Sequence, residues 1–497
     1  KTNDSALEED IKVDTAVIGG GITGITCAYL LKKEGVKVAV IEADRIVQGA
    51  TGHTTAKVTS QHSLTYSRIK RYMGEERARQ YADANEAAIN TIEEIIKAES
   101  IDCDFHDEPS YTFTFMDSYI QKIADEADTA ASLGIKASYS ENAPLPFKIK
   151  AAVRFDGQAR FHPRKYLLPL AKKISGDGSN IFENTRVIDI TEGSPCTILT
   201  NRGKKVTADN VVIATHFPCY DGLGFYFARM YPERSYAIGV EVKGKFPGGM
   251  YITAEDPGRS IRSQEAEKGE ILIISGEHHK TAHGTNFNKH YENLMEFANR
   301  HYNVENLYYR WSTQDYTTLD KVPYIGRLTA RTPNIYVATG FRKWGMTNST
   351  AAAMIIKDLI VKGENPWVPV YDPVRFVPNP SIQNLLSINA DVAANLISGK
   401  LRPLPESFEI ENGEGKAVEV DGQKMGAYRD EKGKLHLVDT TCTHMGCELQ
   451  WNDAEKSWDC PCHGSRFSYE GEIIEGPAIN TLQHDSRGHN KIDPNIL

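Results

Sequence analysis

The sequence predicts an α/β protein with interleaved α+β segments and a small antiparallel all-β domain at its C-terminal end. Three observations predict it: a strand–glycine turn–helix–strand unit near the start, a proline-rich stretch after residue 363, and alternating segments beyond that stretch. At 497 residues the chain is too long for one compact core, so two or three domains are expected.

Residues 13–18 (VDTAVI) read as the first strand and end in Gly19-Gly20-Gly21-Ile22-Thr23-Gly24. A helical stretch runs on through Leu31, and VKVAVIEAD supplies a second strand. Residues 75–98 place Tyr81, Ala88, Ile92, Ile95 and Ile96 near helical spacing and predict a long helix. Strands are expected at 186–190, 210–214, 236–242, 270–275 and 334–338, and a helix over 349–361 closes this part. Residues 364–406 contain seven prolines, too many for one continuous element, although 382–397 has room for a helix. That stretch is the expected linker. After it, GKAVEVDGQKMGAYRD and KLHLVDT alternate apolar and polar residues, as a small antiparallel sheet requires.

Composition excludes several classes. The net charge of −9 argues against nonspecific binding to nucleic acid or to an anionic membrane, both of which reward clustered positive charge. No apolar run approaches the roughly 20 residues of a membrane helix. The polar start KTNDSALEED has no secretory apolar core, so a cytoplasmic location is expected. Four of the eight cysteines stand singly, at 27, 103, 196 and 219; the other four crowd between 442 and 462, as a metal site in a reducing compartment would.

Gly19, Gly21 and Gly24 match G-x-G-x-x-G: a tight turn, close approach of backbone to a pyrophosphate, and close helix–strand packing. The helix start offers free N–H groups to phosphate. Glu42 ends the second strand eighteen residues after Gly24, where a carboxylate accepts from a ribose. The motif leaves FAD and NAD both open.

The rest of the chain resembles the D-amino-acid oxidase/glycine oxidase superfamily of flavoproteins, often labelled DadA-like, over about residues 11–362. Four matches carry the resemblance: the glycine loop with Glu42; Ala50-Thr51-Gly52-His53-Thr54-Thr55-Ala56-Lys57; the segment ADNVVIAT at 208–215; and Pro323-Tyr324-Ile325-Gly326 followed by NIYVATGFRKWG. It implies FAD, with Thr51, His53, Thr54, Thr55, Lys57, Val187, Ala214, Thr215, Gly340, Gly345 and Met346 joining the glycines and Glu42 in holding it. It also implies an FAD part at about 11–60, 148–217 and 316–362, and a substrate part at about 61–147 and 218–315. The linker then spans 363–406 and the last domain 407–497. No second glycine motif exists, so no separate NAD(P) domain is expected.

In that last domain, Cys442-Thr443-His444 and Cys460-Pro461-Cys462-His463 give C-x-H, fifteen intervening residues, then C-x-x-H. A Rieske [2Fe–2S] centre needs two thiolates on one iron and two imidazoles on the other, and two loops with one cysteine and one histidine each supply them. A zinc site is the alternative, but zinc fingers pair like with like, so the mixed pairing favours the iron–sulfur centre. C-T-H-M-G-C and C-P-C-H-G-S resemble the Rieske proteins of cytochrome bc complexes. That resemblance implies a Cys447–Cys462 disulfide, with two free thiols as the alternative in a reducing cytosol. It also implies a serine beside the cluster at Ser465, a covering loop at Gly476-Pro477-Ala478, and Phe467 where a tyrosine usually bonds to a cysteine sulfur.

Together these readings imply a dehydrogenase that oxidises a C–N bond of an amine or amino acid and passes electrons to an external acceptor. Arg342 and Lys343 are the candidates for a substrate carboxylate or for charge on the flavin. Arg262 and Arg310 are weaker candidates, since solvated surface arginines are commoner. His53 reads as a hydrogen-bonding residue, with a covalent flavin tether as the alternative. Three rival readings stay open. One is an oxygen-using oxidase with a structural or regulatory Rieske domain, and another is a non-catalytic relay. The third is a Rieske oxygenase, for which His278 and His283 give H-x₄-H but no acidic residue stands three before His278.

Overall fold

The computed structural model describes residues 2–266, 269–401, 409–420 and 422–483. The first strand, Ile11–Ile18, pairs in parallel with Val38–Ile41 on one side and Lys205–Ile213 on the other. All four residues of Val38–Ile41 are buried, as expected where helices cover both faces of a parallel sheet. Antiparallel strands Cys196–Thr200 and Val187–Thr191 extend this eight-stranded sheet at one edge, and Asn180–Phe182 closes the other. Ile335–Thr339 joins beside Lys205–Ile213 and carries Tyr324–Arg327 with it. The helices Ile22–Lys33 and Gly345–Val361 pack on each other, pinned by a 2.9 Å hydrogen bond from the Thr23 to the Ser349 hydroxyl.

A second eight-stranded sheet runs in the order Val304–Thr318, Met230–Val242, Gly269–Lys280, Arg259–Ala266, Met250–Thr253, Ser110–Thr114, Ala151–Phe155, Ala137–Ser140. It corrects two expected boundaries. Ala151–Phe155 pairs with Ser110–Thr114 and Ala137–Ser140, so the chain leaves the second sheet after residue 155 and not at 148. Val304–Thr318 runs unbroken through the boundary expected at 315–316. Both errors have one cause: hydrogen-bond partners far apart in sequence decide sheet membership, and a strand's own composition does not reveal them.

The proline-rich stretch is not a slack connection. Pro378–Leu401 is helical, with a break at Asn379, and its Asn384 and Asn389 side chains donate to the carbonyls of Leu319 and Ala228. Just before it, the Arg375 guanidinium forms a buried pair with Asp320 at 2.8 Å. The expected linker end at 402–406, and the expected domain's residues 407, 408, 421 and 484–497, lie outside the described residues.

The C-terminal part is all-β, as predicted. Gly415–Val420, Gln423–Arg429 and Leu435–Asp439 form one antiparallel sheet. Gln450–Asn452, Ser457–Asp459, Arg466–Ser468 and Ile473–Glu475 form the other. The sheets meet where Gly426 lies under the Trp458 indole: a Cβ there would stand 2.4 Å from the ring, so glycine is what permits this approach. Among the described residues no helix is long and apolar enough to cross a membrane.

Candidate functional site

The glycine loop has the shape its spacing predicts. Gly19 has φ +105°, and a Cβ on it would lie 2.5 Å from the carbonyl oxygen of Ala214, the residue just past strand Lys205–Ile213. A Cβ on Gly24 would lie 1.8 Å from the Gly19 carbonyl oxygen, which fixes how closely helix and strand pack. The two Glu42 carboxylate oxygens accept from the backbone N–H groups of Gly20 (2.7 Å) and Asp44 (2.9 Å). Burial raises its pKa even though both hydrogen bonds favour the charged form. The Thr51 hydroxyl accepts from Ile22 N at 3.0 Å, which ties the 50–57 loop to the start of the first helix. A dinucleotide fits this cradle: backbone crowded by design, a helix start open to phosphate, and a carboxylate with lone pairs left for a ribose.

Along the same loop, His53 is exposed; its Nδ1 lies 2.9 Å from the Gly49 carbonyl, and its own carbonyl accepts from Trp311 Nε1 at 2.8 Å. The Thr54 hydroxyl accepts from Ala56 N at 3.1 Å. Lys57 Nζ donates to the hydroxyls of Thr55 and Ser260, and burial beside Arg262 lowers its pKa to about 7. Arg262 is only 3% exposed and donates to the Thr55 carbonyl, which overturns its reading as a solvated charge. Arg310 is exposed and rests over the Tyr291 ring. Val187 opens an edge strand of the first sheet, two residues past Thr185, whose N–H donates to the Glu42 carbonyl.

Gly340, Gly345 and Met346 lie between Ile335–Thr339 and the first turn of helix Gly345–Val361. Between them, Arg342 takes φ +55° and donates its N–H to the Tyr316 carbonyl at 3.1 Å. Arg342 is half-buried and Lys343 exposed. Their charges reach a group that sequence reading missed. Burial pushes the Glu233 carboxyl up, but Lys343, the Thr317 hydroxyl and His278 outweigh it and hold the pKa down. Asp315 stands directly opposite Glu233 on the neighbouring strand, and burial raises its pKa. His62 was also missed. Its ring stacks on Trp344 at 5.1 Å, Nδ1 lies 2.6 Å from the Tyr81 hydroxyl, and burial lowers its pKa to about 3. No motif surrounds His62; only the fold brings it to the Arg342 loop.

The four proposed cluster ligands converge from two loops. Cys442 and His444 follow Leu435–Asp439; Cys460 and His463 follow Ser457–Asp459. The two imidazoles stand 5.0 Å apart and nearly perpendicular. Both Nδ1 atoms are buried without a hydrogen-bond partner, which in a polar loop points to a bound metal centre. The sulfurs of Cys447, Cys460 and Cys462 lie within 4.8 Å of one another, but Cys447 and Cys462 are joined in a disulfide and cannot ligate. That leaves Cys442 and Cys460 as the free thiols of these two loops, and a [2Fe–2S] cluster fits this donor set. Ser465 Oγ accepts from Ala478 N at 3.0 Å, which anchors the Gly476–Ala478 loop. By contrast, His278 sits against Asp256 (3.0 Å) and His283 against Asp391 (3.6 Å), so these two histidines share no site.

Phe467 is fully buried among the cluster cysteines. Phe467→Tyr is therefore expected to raise the cluster's potential, because a phenolic O–H donated to a ligand sulfur stabilises the more negative reduced state. Direct voltammetry checks it; an unchanged or lower potential would mean the hydroxyl finds no sulfur.

Residues 14–359 match the family model described as FAD dependent oxidoreductase (DAO), and 401–485 match Rieske [2Fe-2S] domain. The Rieske 2Fe-2S iron-sulfur protein YhfW of Bacillus subtilis (strain 168) is 45% identical over 479 residues, covering 96% of this chain and 94% of its own. Gamma-glutamylputrescine oxidoreductase of Escherichia coli (strain K12) is 26% identical, covering 71% of this chain and 85% of its own. Glycine oxidase from Geobacillus kaustophilus has the same fold, with a TM-score of 0.59 at 18% identity, over 74% of this chain and 99% of that one. The chain belongs to the FAD dependent oxidoreductase (DAO) family, binds FAD, and carries a Rieske domain with a [2Fe–2S] cluster at its C-terminal end.

Proposed function

We propose that this oxidoreductase is a dehydrogenase that oxidises a C–N bond of an amine or amino acid and passes the electrons singly, through the C-terminal domain, to an acceptor outside the chain. When bound, FAD accepts the two electrons of that bond, and the [2Fe–2S] centre carries them onward one at a time. The observation that carries the reading is the burial of His463. It is 2% exposed, with the Phe227 ring of the flavoprotein part 6.0 Å away, so this cluster ligand faces the flavoprotein and not solvent.

The chain's own residues divide the work. Gly19, Gly21, Gly24 and Glu42 hold the dinucleotide, and the 50–57 loop, with Gly340, Gly345 and Met346, borders the flavin ring. Arg342 and Lys343 supply positive charge there, balanced by Glu233, while His62 at its lowered pKa stays neutral and holds the Trp344 turn by stacking and hydrogen bonds. Gamma-glutamylputrescine and glycine, the compounds named in two similar proteins, both carry a nitrogen on a hydrogen-bearing carbon, which supports a C–N substrate.

The test is anaerobic mixing with a panel of amines and amino acids. A substrate should bleach the flavin first, and reduction of the Rieske band should follow. If no member bleaches the flavin while artificial reductants still equilibrate it with the cluster, the chain is a relay and not a dehydrogenase.

A further inference from the structure

Strands Met230–Val242 and Val304–Thr318 form a wall with two different faces. Residues directly opposite in an antiparallel pair share a face, and successive residues alternate. One face carries Glu233 with Asp315 and Tyr231 with Thr317, beside the Arg342 loop. The other carries Arg234 with Gln314, Pro232 with Tyr316, and Tyr236 with Ser312. The C-terminal domain sits on this second face.

The docking is specific. Gln314 Nε2 donates to the Gly464 carbonyl at 2.8 Å and to the Tyr316 hydroxyl at 3.1 Å. The Tyr316 hydroxyl in turn has the carbonyls of His463 (3.2 Å) and Gly476 (3.1 Å) within reach of its single proton. Arg234, 1% exposed, faces Glu475 (3.5 Å) and Glu455 (3.7 Å). A Cβ on Gly464 would come within 2.6 Å of Pro232, so the ligand loop is seated against the strand as closely as backbone allows. On the flavoprotein side, the Tyr316 carbonyl accepts the Arg342 N–H at 3.1 Å. The His216 ring packs on Tyr316 at 5.0 Å, and its Nε2 is held by the Gln314 carbonyl at 2.9 Å. Tyr316 alone of these residues touches both the loop of a cluster ligand and the loop that borders the flavin.

We propose that Tyr316 is a positioning residue that holds the His463 loop against the Arg342 loop, so that electrons cross between the cofactors while the C-terminal domain stays docked. The inference rests on the reading that electrons pass from flavin to cluster. The step moves one electron from reduced flavin to oxidised cluster, with no bond made or broken.

The experiment is rapid photoreduction of the flavin in the holoenzyme, following flavin and cluster bands separately, in wild type and Tyr316→Phe. The variant keeps the buried ring and removes only the hydroxyl. It should retain both cofactors and an unaltered cluster spectrum, while flavin-to-cluster transfer slows by about tenfold or more, as positioned steps do when groups shift by ~1 Å. A wild-type transfer rate in the fully loaded variant would overturn the proposal. No transfer in the wild type would overturn the electron route itself and the proposal with it, so the two failures are distinguishable. If Tyr316→Phe loses a cofactor, Gln314→Leu removes the neighbouring clasp to Gly464 and must show the same slowing; an unchanged rate there also overturns the proposal.

Discussion

Cys460→Ala and His444→Ala proteins are expected to lose the [2Fe–2S] cluster, keep FAD, and lose nearly all turnover with a one-electron acceptor that draws on the cluster. Each substitution removes one of the four proposed ligands, and neither residue belongs to the glycine cradle. Substrate should still bleach the flavin, since that half-reaction needs only geometry at the flavin ring. Iron and flavin analysis with anaerobic stopped flow checks all of this. Turnover of the cluster-free protein at the wild-type rate with oxygen alone would identify an oxidase with a regulatory or structural Rieske domain. The docked interface adds an expectation that sequence modularity did not contain. Collapse of the cluster loops would unseat Glu475 and Glu455 from buried Arg234, so these variants should also melt earlier.

Gly24→Ala is expected to abolish FAD binding and to destabilise the fold by about 4 kcal/mol or more. The new methyl would sit 1.8 Å from the Gly19 carbonyl oxygen, a backbone atom that cannot swing aside. Gly21→Ala is the informative contrast. There the nearest atom is the Thr51 hydroxyl oxygen at 3.2 Å, so the fold needs only a small adjustment, whereas the methyl would stand on the proposed path of the pyrophosphate. That protein should fold yet bind FAD weakly. Bound-flavin absorbance and thermal melting together separate the outcomes; a stable, fully flavinated Gly24→Ala protein would remove the packing argument.

Much of the fold was legible because its signals are local. The strand–turn–helix unit at Ile11–Lys33 lies within one short segment, and two of its glycines, Gly19 and Gly24, are crowded by backbone of the adjoining segment and of the loop itself. The long helix Glu75–Ala98 followed from spacing alone and has the predicted bounds. The room left for a helix at 382–397 is filled by Pro378–Leu401, but its packing was not legible, because proline content reports what a backbone cannot do, not what it packs against. Arg375, which neighbours those prolines, is held by Asp320, a partner no local pattern names.

By itself, then, the sequence determined the cofactors and their order: an FAD dependent oxidoreductase domain first and a Rieske [2Fe–2S] domain after it. Only the tertiary structure decided which residues lie between the two sites. Glu233 and Arg234 are neighbours in the chain, yet one faces the Arg342 loop and the other the C-terminal domain, and Asp315 and Tyr316 divide in the same way. The physical reason is the two-residue period of a β-strand. Shifting the register by one residue would exchange every such pair between faces. That register is set by hydrogen bonds between segments far apart in the chain, so no local reading contains it.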